Sequence, residues 1–153
     1  MPVKKLKDFL ERNNIKYNTV MHSPVFTAQE VAASAHIPGN ELAKTVVIKV
    51  DGRMAMAVVP APCKVDFERL KHAAGARSIE LAGEEEFEHM FPECDIGAMP
   101  PFGNLYDMEV FEDERLTNDA EIAFSAGSHS EVIKLARADF EKLVHPKKAQ
   151  FSC

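Results

Sequence analysis

The chain has 153 residues, is 46% hydrophobic and 27% charged, and carries a formal charge of −6. This is the composition of an ordinary globular protein, long enough to bury a core within one domain spanning residues 1–153. The acidic balance argues against indiscriminate nucleic-acid binding, to DNA above all, and no apolar run approaches the roughly 20 residues that cross a bilayer.

The first fourteen residues, MPVKKLKDFLERNN, contain no apolar run followed by a small-residue cleavage site, so no secretory signal is expected. Val3, Leu6, Phe9 and Leu10 recur at helical spacing and predict a first amphipathic helix. Tyr17 to His22 reads as a short strand, ended by Ser23-Pro24. Thr27 and Glu30 form a capping box that opens a second helix, and Pro38-Gly39 closes it. The run from Ala43 to Pro60 contains two β-rich segments flanking Asp51-Gly52, the preferred pair for a type I′ hairpin turn. Asp66 is placed to cap a helix carrying Phe67, Leu70, Ala73 and Ala74. Arg77–Leu81 reads as a strand, and Glu84–Phe91 as a short helix with acids in its first turn. Leu105–Phe111, Glu121–Ala126 and Glu131–Ala136 read as strands, and a helix through Ala138–His145 stops before Pro146. The expected architecture is mixed α/β, richer in hairpins than a doubly wound fold and without a dinucleotide or P-loop motif.

Charge and cysteine patterns give further expectations. The acids cluster in Glu84–Glu88 and Glu109–Glu114, and the bases in Lys4–Lys16 and Lys134–Lys148. Each cluster reads as a solvated face. Cys63, Cys94 and Cys153 are odd in number and widely spaced, which predicts free thiols in a reducing cytosol and a cytoplasmic protein. The six histidines form no H-x-x-x-H pair, and no G-x-S-x-G elbow is present, so neither a metal centre nor a serine nucleophile is expected, and no cofactor is implied. Asp95 beside Cys94 argues against a reactive thiolate there.

Three stretches stand apart. Gly97-Ala98-Met99-Pro100-Pro101-Phe102-Gly103 has two fixed φ angles between flexible ends, so it forms a stiff loop rather than a helix or central strand. Lys44 opens a β-rich run on the face of Val46, Ile48 and Val50, with Thr45 on the other. Alternation alone leaves open whether this ammonium crosses a cavity mouth or snorkels to water. Gly127-Ser128-His129 follows a strand, which leaves open whether the imidazole shapes a pocket, exchanges protons or is a hydrogen-bonded turn residue.

With Lys44, the Gly97–Pro101 G-x-x-x-P loop and Gly127-Ser128-His129 in this order, the sequence resembles the YbaK/prolyl-tRNA synthetase-associated editing domain family over nearly its whole length. The resemblance implies a mixed, barrel-like sheet flanked by helices, with a site in a crevice on the sheet. It implies hydrolysis in trans of mischarged tRNA, foremost tRNA(Pro) carrying a small wrong amino acid such as alanine. A ribose hydroxyl of the terminal adenosine would help activate water. Lys44, Gly97, Ala98 and His129 would then be catalytic, with Thr45, Met99, Pro100, Pro101, Phe102, Gly127 and Ser128 binding substrate. The implied partners are the tRNA acceptor end and an aminoacyl-tRNA synthetase, with no membrane. The alternative is a catalytically silent tRNA- or nucleotide-binding regulatory module on the same fold.

Overall fold

The computed structural model describes residues 4–22, 33, 37, 41–95, 97–118 and 120–153. The expected helix at Thr27–Glu30 lies outside them. At the centre is the hairpin of β2 (Leu42–Val50) and β3 (Arg53–Pro60), in antiparallel register from Ala43 opposite Pro60 to Val50 opposite Arg53. Asp51 and Gly52 have φ of +50° and +85°, both on the positive side as a type I′ turn requires. The Asp51 carboxylate accepts the N–H groups of Arg77 and Ser78, each at 2.9 Å, and so ties the turn to β4 (Ile79–Leu81).

The other strands are β1 (Tyr17–Met21), β5 (Glu109–Asp113), β6 (Glu121–Ser125), β7 (Glu131–Ala136) and β8 (Lys147–Ala149). They form one eight-stranded mixed sheet in the order β1-β7-β6-β2-β3-β5-β8, with β4 joined to β2 beside this path. Alternation along the hairpin separates two apolar layers. Ala43, Val47, Met56 and Val58 pack with Ile122, Phe124, Ile133 and Leu135, beneath Leu6 and Leu10 of α1 (Lys4–Arg12). Ile48, Ala55, Ala57 and Val59 face the other way, toward Phe111, Phe151 and Leu70 of α2 (Phe67–Ala74). Helices therefore cover both faces of the mixed α+β sheet. Asp66 caps α2 by accepting the Arg69 N–H at 3.1 Å, and Gly75 ends it in the left-handed conformation. The short α3 (Glu84–Phe87) continues into a 3-10 turn, and α4 (Arg137–Val144) buries Phe140 and Val144 in the first layer.

Four readings of the sequence need correction. The strand expected from Leu105 begins only at Glu109, because Gly103–Leu105 forms a 3-10 turn. Strand β8 was not anticipated, since Lys147-Lys148 carries no apolar alternation. The Glu109–Glu114 cluster is not a solvated face: Glu112 and Asp113 are fully buried. Glu112 meets Arg137 at 2.7 Å, while the Asp113 carboxylate accepts from Phe151 N–H at 3.0 Å and Ser152 Oγ at 2.7 Å. Lastly, Cys63 and Cys153 are joined in a disulfide across 90 residues of sequence, not free. Their pairing follows from tertiary contacts that spacing does not reveal: Val65 bridges to Ser152, and the Asp66 N–H donates to the Phe151 carbonyl at 2.6 Å.

Candidate functional site

The sheet splits at β2. One edge of this strand pairs with β3 throughout. The other edge is shared, with β6 parallel to Leu42–Ala43 and β4 antiparallel to Ile48–Val50. The Leu42 carbonyl accepts from Ala61 on the β3 side, whereas the Val47 carbonyl accepts from Ala82 on the opposite side. Odd-numbered residues of β2 therefore point their main-chain groups away from β3. Thr45 presents its N–H and C=O to a stretch of edge that neither β4 nor β6 covers. Its Oγ1 is buried and has no hydrogen-bond partner among the described residues. A buried hydroxyl in that condition costs free energy until something pairs with it.

Past this gap, β6 runs out into Ala126-Gly127-Ser128-His129, and the Gly97 loop lies against it. The Gly127 N–H donates to the Ala98 carbonyl at 2.9 Å, and the Asp95 N–H donates to the Gly127 carbonyl at 2.8 Å. The Asp95 carboxylate accepts the His129 N–H at 3.3 Å. Gly97 and Gly127 have φ of +88° and +97°, a region that L side chains avoid. A Cβ built on Gly97 would lie 3.7 Å from His129 Cε1, so the imidazole stands over this glycine at contact distance.

From Ala98 to Phe102 the loop is buried. Phe102 sits among Phe9, Phe124 and Phe140, with ring centroids 6.2, 5.4 and 5.5 Å away, and Met99 is 4% exposed in the same layer. These two side chains anchor the loop, and Pro100 and Pro101 stiffen it. Gly97 is exposed, and among the described residues nothing takes its N–H. The Ala98 N–H, in contrast, donates to the Asp95 carbonyl at 3.0 Å and is not available to a ligand. Ser128 is 8% exposed, and its Oγ accepts the Ser130 N–H at 3.4 Å.

The structure thus brings together Gly97, Ala98, Gly127, Ser128 and His129. Thr45 lies two residues beyond the last β2–β6 pair, with its side chain on the same layer as Met99 and Ala126. Lys44 is one residue closer to that pair, on the opposite face and across from Val59. It shares that face with Val46 and Ile48, as alternation predicts, although the strand opens two residues earlier at Leu42. Burial, reinforced by the nearby charge of Lys64, lowers the Lys44 pKa from 10.5. Asp95 is the residue that sequence reasoning missed. Its only signal was the D-x-G spacing before the loop, which suits an acceptor tying down a turn.

Burial pushes the Cys94 thiol up to about 11, with Glu93 and Asp95 adding to the effect, so it stays protonated near neutral pH. Among the described residues no three His, Cys, Asp or Glu side chains stand close enough together to hold a metal ion. No helix among them is long and apolar enough to cross a membrane.

The result is a glycine loop hydrogen-bonded to a Gly-Ser-His turn beside a split in a mixed sheet. Residues 22–143 match the aminoacyl-tRNA editing domain, and the chain belongs to that family. It is 29% identical over 90 residues to the proline–tRNA ligase of Bacillus mycoides (strain KBAB4), covering 59% of this chain and 16% of the ligase. Against the proline–tRNA ligase of Bacillus cytotoxicus the identity is 33% over 85 residues, covering 56% of this chain and 15% of the ligase. The chain thus aligns with about one-sixth of the length of these ligases. A solved structure named "putative trans-editing enzyme for prolyl tRNA synthetase" superposes with a TM-score of 0.83 at 18% identity, over 98% of this chain and 96% of that one. At that identity the likeness is one of fold.

Proposed function

We propose that this chain hydrolyses, in trans, the ester bond of mischarged aminoacyl-tRNA, foremost tRNA(Pro) carrying alanine or another small residue. The observation that carries this reading is the hydrogen-bonded apposition of the Gly97 loop and the Gly127–His129 turn, which leaves one exposed amide beneath an imidazole.

The substrate ester is already activated, so the protein has mainly to hold it and place a water. The Gly97 N–H is the donor aimed at the ester carbonyl, where developing oxyanion charge is stabilised by a dipole that does not need to reorganise. His129 and Ser128 wall the amino-acid pocket. Thr45 Oγ1 gains its missing partner from the terminal ribose. A free ribose hydroxyl beside the ester assists the attacking water, and Lys44 neutralises a phosphate of the acceptor end. Met99, Pro100, Pro101 and Phe102 act by fixing the loop. The reaction runs where aminoacyl-tRNA is found, in the cytoplasm, with a synthetase as a further partner.

The test compares deacylation of charged tRNA(Pro) by the wild type and by His129→Ala, with normal and deoxy terminal adenosine. Loss of hydrolysis on the deoxy substrate, with His129→Ala changing which amino acids are removed, is the expected pattern. A His129→Ala variant dead on every substrate, alongside continued cleavage of the deoxy ester, would make His129 the general base and end the substrate-assisted reading. Absence of hydrolysis on every charged tRNA, with acceptor-end binding retained, would favour the silent binding module.

A further inference from the structure

Lys44 has a like-charged neighbour, Lys64, four residues past the end of β3. The β2–β3 register sets Lys44 opposite Val59, and just beyond β3 the chain turns, with the Cys63 N–H donating to the Pro60 carbonyl at 2.9 Å. Cys63 packs in the same apolar layer as Val46 and Val59, so Lys64 emerges at the Lys44 end of the hairpin. Neither lysine pairs with a carboxylate among the described residues. Other cations do: Lys49, Lys134, Arg137, Lys147 and Lys148 each meet a glutamate within 4 Å.

The position of Lys64 is also fixed on both sides. Cys63 is bonded to Cys153, with the two Cα atoms 4.9 Å apart, and Val65 bridges to Ser152. An exposed lysine is ordinarily mobile and loses freedom when it binds. Here the main chain carrying it is already clamped to a buried tail. Two unpaired ammonium groups held near one another repel in the free protein, and an anion placed between them relieves that repulsion. The charge of Lys64 acts on Lys44 in this sense, second to burial.

We propose that Lys64 is a phosphate-binding residue, forming with Lys44 a two-lysine cradle for one backbone phosphate of an RNA acceptor end. The assignment rests on the editing reading for its choice of RNA. It divides the substrate across the split sheet, with the phosphate at the lysines on one face and the ester at the glycine loop on the other.

The test uses an uncharged acceptor-stem hairpin ending in CCA, titrated by fluorescence anisotropy at several salt concentrations, and so does not depend on hydrolysis. Lys64→Gln should weaken binding about five- to tenfold and reduce the slope of log K against log salt by about 0.7–0.9, as expected for one lost phosphate contact. Lys64→Arg should restore most of both. Replacing the terminal phosphodiester with an uncharged methylphosphonate should weaken wild-type binding by a similar factor and leave Lys64→Gln nearly unaffected. Equal losses in the two proteins would overturn the cradle, as would a Lys64→Gln variant with wild-type affinity and slope. Adenosine monophosphate titrated alone should bind far more weakly than the hairpin; equal affinity would assign the cradle to a free nucleotide and overturn the RNA assignment. Lys64-dependent hairpin binding without deacylation of any charged tRNA would sink the editing reading and leave the cradle standing. Deacylation with hairpin binding indifferent to Lys64 would do the reverse.

Discussion

Gly97 shows how one residue can be constrained by conformation more than by space. Among the described residues a methyl group there would meet only His129 Cε1, at an ordinary 3.7 Å, but the backbone φ of +88° is one that L residues resist. Gly97→Ala should therefore cost about 1–2 kcal/mol of stability through backbone strain. It should also cost most of the deacylation rate, because relief of that strain turns the exposed amide away. Thermal melts and single-turnover kinetics on the same variant separate the two effects. An active Gly97→Ala enzyme with a lowered melting temperature would leave the amide without a catalytic role. Lys44 is the opposite case, since no carboxylate among the described residues pairs with it. Lys44→Ala should leave the melting temperature nearly unchanged and slow deacylation at least about tenfold, equivalent to about 1.4 kcal/mol of transition-state stabilisation. Unchanged kinetics would remove Lys44 from the site.

Between elements, the contact of α3 with β2 gives a pH-dependent prediction. Lys49 Nζ lies 2.6 Å from Glu86 Oε2, and Glu86 Oε1 accepts the Gly83 N–H at 3.1 Å. The lysine first, and then the amide, hold the Glu86 carboxyl below its usual 4.5. Lys49 is raised above 10.5, chiefly by its hydrogen bond to Glu86. For the acid, the folded pKa lies below the unfolded one, so its contribution is complete above pH 4.5 and fades as pH falls through the folded value. For the lysine the contribution is complete below 10.5 and fades as pH rises through its folded value. Glu86→Gln should thus lower the melting temperature between these limits and converge with the wild type in acid. A gap that persists at pH 2 would mean that the two groups interact mainly through packing.

The same scale shows what the sequence could convey. The Asp51-Gly52 hairpin and the Asp66 cap were legible because turn and cap chemistry is local: a positive φ pair and one side-chain acceptor suffice. The Gly97 loop was legible as a stiff loop, and the burial of Met99 and Phe102 was hinted at by their apolar character. What aligns that loop was not legible, because Asp95 works through a turn 34 residues away. Strand β8 was hidden because edge pairing with β5 needs backbone groups and no apolar pattern. The buried acids Glu112 and Asp113 looked solvated, because the groups that meet them, Arg137 and the Phe151–Ser152 tail, come from distant sequence.

Across the whole molecule, the disulfide is the strongest single constraint on the unfolded chain. Closing a 90-residue loop reduces denatured-state entropy by the equivalent of about 4–5 kcal/mol in the chain-entropy model. Guanidinium unfolding should show a much higher midpoint for the oxidised protein than for the reduced one, and Cys153→Ser should match the reduced protein and ignore added thiol. Equal midpoints would mean that the Cys63–Cys153 bond does not form in solution. Cys94, half-buried and with its thiol held protonated by burial, should contribute little to either comparison.

The same bond decides how the molecule would yield to mechanical force. If it were pulled between residue 1 and residue 153, tension would pass through the Cys63–Cys153 link, and everything between those cysteines would be shielded from it. Only residues 1–63 could be drawn out, a contour of about 220 Å at about 3.5 Å per residue, against more than about 500 Å for the reduced chain. The β2–β3 hairpin lies in that extensible part, wedged between β6 and β5 of the shielded part. It would have to be peeled from both neighbours, and the split beside Thr45, where β2 already stands apart from β6, is where the first tear would start.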